Sequence, residues 1–228
     1  MSNPTPASPV QPYCTGEDIA VRCSGDFTEL IPRYQVLASG TDGFVEGGVL
    51  WAFGSASIDF ATAGVGPGAV LEVEADDEDD RLFAVDSAVG KVLMLRRVGM
   101  PTGVGKPPPF QPGYLLPFAV RTLAPQIEDA SYELNQAYRI EPGVAGWGGA
   151  SCHPSRLYDR RQLRDACVLK VLVQQYGTET RTKDGDWPGK RDRARADLDL
   201  VLDRVSLRWG CHGDATGPSS RGQRRLIR

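Results

Sequence analysis

The sequence predicts an α+β protein, a helical bundle with a small β-barrel-like domain inserted into it. Three observations predict this class: a capped helical segment near the start, seven short β-rich runs in the middle, and three long helical patterns towards the end. The chain has 228 residues, 41% of them hydrophobic, so it is long enough to bury a real core. We therefore expect one discontinuous helical domain, 13–30 and 121–210, that hosts a β-rich domain at 31–120.

The first helical segment follows a proline-rich start. Four prolines lie within residues 1–12, and because proline blocks ladder and helix hydrogen bonds they predict an extended arm. Thr15 can cap the free amides of a short helix, and Asp18 stands where a capping box needs an acceptor. Ile19 lies on the apolar edge of this helix, and we expect Gly25 to end it.

Seven runs rich in β-branched and aromatic residues predict strands, separated by glycines and prolines. Leu71 and Val73 alternate with Glu72 and Glu74, which is the period of a strand with one buried and one solvated face. A turn at 88–91 predicts a hairpin, and so many short strands predict a small barrel. The predicted strands are 34–37, 49–53, 57–60, 70–73, 82–85, 92–95 and 115–120.

Two of the later helical patterns read as mainly buried. The first has Pro125 in its first turn and apolar residues at spacings of three and four over 127–138. The second opens on a cap signature at Asp159, and Gly177 stands at its expected C-cap. Since apolar residues cover most of its circumference, we expect the second helix to be the central one.

The third pattern and the distribution of charge indicate surfaces that meet other molecules. A helix from about Pro188 to Trp209 carries one apolar stripe, and its other face holds both charge signs. Residues 1–110 hold 7 basic and 15 acidic side chains, whereas residues 111–228 hold 19 and 14. This asymmetry indicates two surfaces with different neighbours.

Seven acidic side chains fall within nine residues, at 72–80. They repel one another unless they are solvated, which predicts an exposed loop between strands. A loop that solubilises the protein is one interpretation. The acidic residues concerned are Glu72, Glu74, Asp76, Asp77, Glu78, Asp79 and Asp80.

A basic tail is predicted at 211–228. Four arginines and two apolar residues follow a linker of glycine, proline and serine, and this composition predicts a flexible arm that could order on an acidic partner. Non-specific attraction to nucleic acid and plain disorder are the alternatives. The residues concerned are Arg221, Arg224, Arg225, Leu226, Ile227 and Arg228.

Candidates for chemistry are weak. The only two histidines each follow a cysteine, at 152–153 and 211–212, and could be drawn as a zinc site, but the usual ligand spacings are absent. Glycine-rich segments at 64–68 and 99–105 lack a Gly-Lys-Ser ending and predict turns. The five cysteines are thinly spread, which predicts reduced thiols. We expect no enzyme activity, no cofactor and no metal; a zinc- or small-ligand-binding domain is an alternative.

Four segments in this order resemble the head-to-tail connector, or adaptor, proteins of tailed phages and related gene transfer agents. They are the capped segment at 13–24, the run IEDASYELN at 127–135 with Tyr138, the run LRDAC at 163–167, and the charged helix at 190–208. The resemblance implies a structural virion protein, a helical-bundle subunit in a ring of about twelve copies beneath the portal. It does not account for the β-rich insert.

The resemblance also implies partners and a location. The tail residues named above become candidates for docking on the portal, and a tail terminator or stopper protein would follow. DNA would pass through the channel without sequence-specific binding. The acidic residues at 72–80 become candidates for a channel-facing loop, because DNA binding requires phosphate neutralisation, which acidic walls do not provide. We expect synthesis in the host cytoplasm and a final place in the neck of the virion, since no stretch approaches the roughly 20 apolar residues of a membrane span and the start lacks a secretory signal pattern. A tail-completion or stopper protein, whose usual body is a small β-barrel, is the alternative.

Overall fold

The chain folds into two compact units. The computed structural model describes residues 12–32, 34–45, 51–74, 81–101, 115–138, 140, 160–179 and 185–207. The barrel unit is Thr15–Ala124, and the helical unit combines Met1–Cys14 with Pro125–Arg228. The described residues include five helices and a closed six-stranded antiparallel barrel. The predicted mixed class and the small barrel are confirmed.

The barrel unit consists of two short helices and six strands. The helices are α1 (Gly16–Arg22) and α2 (Phe27–Leu30), and the strands are β1 (Val36–Val45), β2 (Ala52–Ser55), β3 (Val70–Val73), β4 (Leu82–Val89), β5 (Val92–Arg97) and β6 (Leu116–Arg121). Around the barrel the order is β1-β2-β5-β4-β3-β6, and β6 pairs with β1 to close it. Closure pairs every strand on both sides, which removes the exposed edges of an open sheet.

Phenylalanine rings fill the barrel interior. The ring centroids of Phe53 and Phe118 are 5.2 Å apart with a 75° tilt, and those of Phe60 and Phe118 are 5.7 Å apart. These are edge-to-face contacts, in which the positive edge of one ring meets the negative face of the next. All three rings are buried, so they anchor the core of this unit.

Two local predictions for the strands are confirmed. Leu71 and Val73 are fully buried, and the glutamates that alternate with them have more exposed side chains. β4 and β5 form an antiparallel hairpin joined by Gly90 and Lys91. Gly90 has a φ of 56°, a left-handed conformation that glycine adopts without steric cost in a two-residue turn.

The predicted strand at 57–60 is wrong. The Ser57 N–H donates to the Asp42 carboxylate at 2.8 Å, and the Ile58 N–H donates to the Ser55 hydroxyl at 3.0 Å. Because side-chain oxygens accept hydrogen bonds from these amides, the amides do not pair with a neighbouring strand, and the segment forms a bend. The aromatic ring at its end still lies in the core.

β1 is longer than predicted. It continues past Leu37 through Gly40 and Gly43. A Cβ added at Gly43 would lie 2.3 Å from Cζ of Phe53 and 2.8 Å from Cδ1 of Phe118. Glycine is required here because the core rings occupy the space that a side chain would need.

The capping box of the first helix is confirmed. The Asp18 N–H donates to Oγ1 of Thr15 at 3.3 Å, and the Thr15 N–H donates to Oδ2 of Asp18 at 2.9 Å. α1 ends at Arg22, earlier than the predicted stop at Gly25, because Cys23 leaves the helical conformation with a φ of −140° and a ψ of 46°.

α1 belongs to the barrel unit and not with the later helices. The Glu17 N–H donates to the carbonyl of Gly68 at 3.1 Å, and the Glu17 carboxylate forms an ion pair with the Arg96 guanidinium on β5. These contacts hold the helix on the barrel. The division of the chain therefore falls after Cys14, which differs from the predicted discontinuous domain of 13–30 and 121–210.

The helical unit contains the three predicted long helices, α3 (Ala124–Tyr138), α4 (Arg161–Glu179) and α5 (Trp187–Arg204). α4 packs along α5, and Lys170 on α4 pairs with Glu133 on α3 at 2.5 Å. α4 is buried over most of its length, as predicted. Within the described residues, no helix has both the length and the apolar character needed to span a membrane.

The ends of α4 and α5 differ from the prediction. α4 continues through Gly177, since the Thr178 hydroxyl donates to the carbonyl of Gln174 at 3.2 Å and completes a further turn. α5 stops at Arg204, well before Trp209. There the Ser206 N–H donates to Oε1 of Gln162 on α4 at 2.7 Å. In a continued helix this N–H would instead donate to the backbone carbonyl four residues earlier.

Candidate interaction surface

The acidic run predicted from the sequence occupies the connection between β3 and β4. β3 is hydrogen-bonded to β4 on one side and to β6 on the other. The Val73 N–H donates to the carbonyl of Arg81 at 2.9 Å, and the Glu74 N–H donates to the carbonyl of Pro117 at 3.0 Å. Both ends of the acidic connection are therefore fixed to the barrel.

The structure places two of the seven predicted acidic residues. Glu72 lies within β3 and not in a loop, and its half-buried carboxylate accepts a hydrogen bond from Nε of Arg121 at 2.9 Å. This neighbour on β6 neutralises the charge. Glu74 is exposed, as predicted. Residues 76–80 lie outside the described residues, as does the whole predicted docking segment at 221–228.

A cavity of about 440 Å³ lies beside the Glu72–Arg121 pair, lined by residues of β1, β3 and β6 and of their ends. Glu72 and Glu74 contribute two negative charges to its wall, and Arg81 and Arg121 contribute two positive ones. A wall with balanced charges does not concentrate ions of one sign. The lining also includes Ser39 and Thr41, so the cavity offers hydroxyl groups and charges of both signs for polar contacts with another macromolecular surface.

α5 presents a second charged surface. Arg193 pairs with Asp186 at 2.9 Å, with both side chains about 70% exposed, and Arg191 pairs with Asp192 at 2.8 Å. Exposed pairs of this kind contribute at most about 1 kcal/mol each to stability. The two-sign face is therefore available for contacts with a partner without much cost to the fold.

The helical unit contains a buried polar cluster around Tyr13. The Tyr13 hydroxyl donates to Oδ1 of Asn135 at 2.6 Å, and its backbone N–H donates to Oγ of Ser131 at 3.1 Å. The thiol of Cys14 donates to the sulfur of Cys167 on α4 at 3.1 Å. Five side chains from three separate segments thus fix residues 13–14 against α3 and α4.

Burial, charges and hydrogen bonds shift the pKa values of Tyr13 and Cys167 in this cluster. Burial raises the pKa of Tyr13 to about 12, although the Arg160 guanidinium lies 5.5 Å above the tyrosine ring and acts in the opposite direction. The pKa of Cys167 is lowered, mainly because the Cys14 thiol donates a hydrogen bond to its sulfur. Burial also raises the pKa of Tyr138 to about 12.

These two tyrosines predict a loss of stability in alkali. A folded-state pKa of about 12 lies above the ordinary value of 10.0, so between these pH values the unfolded chain loses phenol protons that the folded chain keeps. The free energy of unfolding then falls as pH rises, by about 1 to 2 kcal/mol for each tyrosine after allowance for solvent screening, while the full contribution remains below pH 10. Urea unfolding at a series of pH values measures the fall.

The variants Tyr13→Phe and Tyr138→Phe isolate this effect from the titration of lysines. Each should remove its own share of the pH dependence, since phenylalanine has no proton to lose. A loss of phenolate absorbance near pH 10 on substitution of either tyrosine in the folded protein would contradict the assignment, because it would show that this tyrosine ionises at its ordinary pKa.

The remaining candidates from the sequence are not brought together by the described structure. The Cys-His pairs at 152–153 and 211–212 lie outside the described residues. Among the residues that the structure does describe, no group of three or more histidine, cysteine or acidic side chains is placed to hold a metal ion. The Tyr13 cluster and the Glu17–Arg96 pair were not predicted from the sequence, because both join residues far apart in the chain. A tyrosine two residues before the helix cap Thr15 was the local signal.

Comparison of the chain with protein-family models, with curated proteins and with solved structures finds no match.

Proposed function

We propose that the protein is a structural subunit of the neck of a tailed phage, a head-to-tail connector that forms a ring beneath the portal. The observation that carries the proposal is the acidic β3–β4 connection, five consecutive acidic residues at 76–80 whose two ends are hydrogen-bonded into a closed barrel. DNA adheres to proteins through neutralisation of its phosphates. An acidic segment carried by a stable barrel therefore suits the wall of a channel through which DNA passes without sequence-specific binding.

A ring of identical subunits needs two different surfaces that meet head to tail. Within the described residues the barrel has no unpaired strand edge, so contacts between copies would use side chains. The charge-mixed cavity of the barrel unit and the two-sign face of α5 provide them. The proposal includes a compact bundle of α3, α4 and α5, which is supported by the Lys170–Glu133 pair and by the contact of the Tyr176 and Trp187 rings at 5.9 Å.

The proposed partners follow from this place in the virion. Copies of the chain contact one another, about twelve in a ring. The portal lies on the head side, and a tail terminator or stopper protein lies on the tail side. The subunit acts as a structural part of the virion neck and not as an enzyme.

Electron microscopy of the full chain mixed with isolated portal particles tests the proposal. We expect a ring of the chain seated directly on the portal, with an open channel along its axis. The chain alone is the control, since a subunit that assembles only on its partner stays monomeric without it. Absence of any density on the portal, at protein concentrations that saturate known neck proteins, would contradict the proposal.

A second prediction concerns the basic tail. Deletion of residues 217–228 should weaken portal binding about a hundredfold, because ion pairs of four arginines with the portal would contribute up to about 1 kcal/mol each and a tenfold change in affinity corresponds to about 1.4 kcal/mol. Binding to immobilised portal particles at several salt concentrations measures the loss, and the affinity of the intact chain should fall more steeply with salt than that of the shortened one.

Two full-length variants separate charge from chain length in this experiment. Substituting alanine for Arg221, Arg224, Arg225 and Arg228 should reproduce most of the loss, whereas lysine at the same positions should retain most of the binding. Portal affinity that survives the deletion unchanged would show that the tail does not dock there.

The closed barrel favours one other candidate function. A small antiparallel barrel that forms the body of a unit is also suited to a tail-completion or stopper protein of the same neck region. Mixing the chain with isolated tail tubes distinguishes the two candidates: binding to the tubes but not to the portal would support the stopper and exclude the connector.

A further inference from the structure

The Cys14 and Cys167 thiols lie in contact within the helical unit. Their sulfur atoms are 3.1 Å apart, and the side chains are 4% and 0% exposed. A disulfide bond requires about 2.0 Å between the sulfurs, so a further approach of about 1 Å, shared between two side chains, closes the bond. Neither thiol is oxidised in this structure.

The surroundings give the two sulfurs different roles. Cys14 donates its proton towards Cys167, and the Ser131 hydroxyl lies 3.5 Å from the Cys167 sulfur. Hydrogen-bond donors that point at a sulfur stabilise its thiolate, and the thiolate is the nucleophilic form. The pKa of Cys167 is lowered in agreement with this geometry. Cys167 is therefore the attacking sulfur and Cys14 the resolving one.

We propose that Cys14 and Cys167 are a redox modification site, at which a peroxide converts the thiol pair into a reversible disulfide that locks residues 12–14 onto α4. This inference does not depend on the proposed function. Because the two side chains are 4% and 0% exposed, peroxide reaches the sulfurs when the site opens locally, and its small size requires less opening than a larger disulfide reagent would.

The reaction balances in two steps. The Cys167 thiolate attacks one oxygen of hydrogen peroxide, the O–O bond breaks, and the hydroxide that leaves takes up a proton to become water. Cys167 is then a sulfenic acid. The Cys14 sulfur attacks the Cys167 sulfur, the S–O bond breaks, and the departing hydroxide takes the Cys14 proton as a second water. The two thiols lose two electrons, and the peroxide gains them.

The cross-link would stabilise the helical unit. It joins residues separated by 153 positions, and the loss of chain entropy from an unfolded chain increases with the size of the closed loop. We expect oxidation to raise the melting temperature of this unit by about 10 °C, and a thiol reductant to reverse the rise.

The experiment uses the full chain with Cys152→Ser and Cys211→Ser, so that the remaining thiols are Cys14, Cys23 and Cys167. After treatment with hydrogen peroxide, peptide mapping without reduction should show the Cys14–Cys167 cross-linked peptide, and the melting temperature should rise. Cys23 is a matched buried thiol whose sulfur donates to the carbonyl of Ile19. Cys23→Ser should leave both the cross-link and the rise unchanged.

Cys14→Ser is the second variant. It should form no cross-link, should accumulate sulfenic or sulfinic acid at Cys167, and should show no rise in melting temperature. Even if Cys14→Ser does not fold, peptide mapping of the chain with Cys152→Ser and Cys211→Ser alone shows whether Cys14 and Cys167 become cross-linked. Thiols that stay unlinked in peroxide, a cross-link from Cys23 instead, or a Cys14–Cys167 cross-link without a rise in melting temperature would overturn the proposal.

Discussion

Replacing Phe53 by alanine is expected to lower the free energy of unfolding of the barrel unit by about 4 kcal/mol. The Phe53 ring is 1% exposed and contacts the rings of Phe118 and Phe60 at centroid distances of 5.2 and 6.5 Å. The substitution loses the free energy of burying a large apolar group and the edge-to-face contact with Phe118. It also leaves a cavity, which stays open because the hydrogen-bonded strands of the closed barrel cannot move together to fill it. Urea unfolding followed by the fluorescence of Trp51 measures the loss.

Phe44→Ala is the matched control. Phe44 lies on β1 opposite Gly54 of β2 and is only half-buried, so the same substitution removes less buried area and leaves no enclosed cavity. We expect it to cost less than half as much. Equal losses at the two positions would contradict the assignment of Phe53 to the centre of the core. Since Trp51 is the single tryptophan of the barrel unit, its signal reports this unit and not the helical one.

Features that depend on neighbours in sequence were predictable. The alternation of Leu71 and Val73 with glutamates fixed the inward face of β3, and the Thr15 capping box fixed the start of α1. In both cases the interaction that decides the structure spans a few residues. The starts of α3 and α5 were likewise predictable from the prolines in their first turns, whereas α2 was not predicted. The end of α5 was not predictable either, since a backbone amide there donates to a glutamine side chain of α4.

Features that depend on the closed barrel were not predictable. Gly40 and Gly43 resemble turn residues in the sequence, yet they lie inside β1. The reason is three-dimensional: the rings of Phe53 and Phe118 fill the volume that a side chain at Gly43 would occupy, and glycine also permits the register shift between Gly40 and Gly43 where β1 pairs with β6. No local pattern shows which glycines face a crowded core.

The acidic character of the candidate site was predictable from the sequence, but the pairing of its charged residues was not. The acidic composition of 72–80 is evident in the sequence, whereas the neutralisation of Glu72 by Arg121 across 49 positions is not. The same holds for Glu17 and Arg96, which are 79 positions apart. Their pairing moves α1 from the predicted helical domain to the barrel unit, because an ion pair between a helix and a strand specifies where that helix docks.

Reversing the charge of the acidic connection is expected to hold DNA inside an assembled neck. Lysine in place of Asp76, Asp77, Glu78, Asp79 and Asp80 changes each subunit by ten charges, and in a ring this change is repeated in every copy. Each lysine that contacts a phosphate releases a condensed counterion. The fall of the logarithm of DNA affinity with the logarithm of salt concentration should therefore become steeper by about 0.9 for each contact. Glu72 stays unchanged because it pairs with Arg121.

The experiment compares DNA release from assembled necks at several salt concentrations. The unaltered chain should release DNA rapidly at every concentration, since acidic walls offer phosphates no partner. The reversed chain should slow release by several orders of magnitude at low salt and recover at high salt. Neutral Asn and Gln at the same five positions should give an intermediate rate, because they remove the repulsion without adding contacts.

The matched control carries the same change of charge on the helical unit. Lysine at three exposed acidic positions of α3 and α4 changes each subunit by six charges, as does lysine at Asp76, Asp77 and Glu78 alone. The free subunits of these two matched variants should therefore gain similar affinity for duplex DNA. Only the variant at 76–78 should retard DNA in the assembled neck, since only that segment is proposed to line the channel. Equal retardation by the two variants, or none by the variant at 76–78, would show that the acidic connection faces elsewhere. The control positions are Glu128, Asp129 and Asp165.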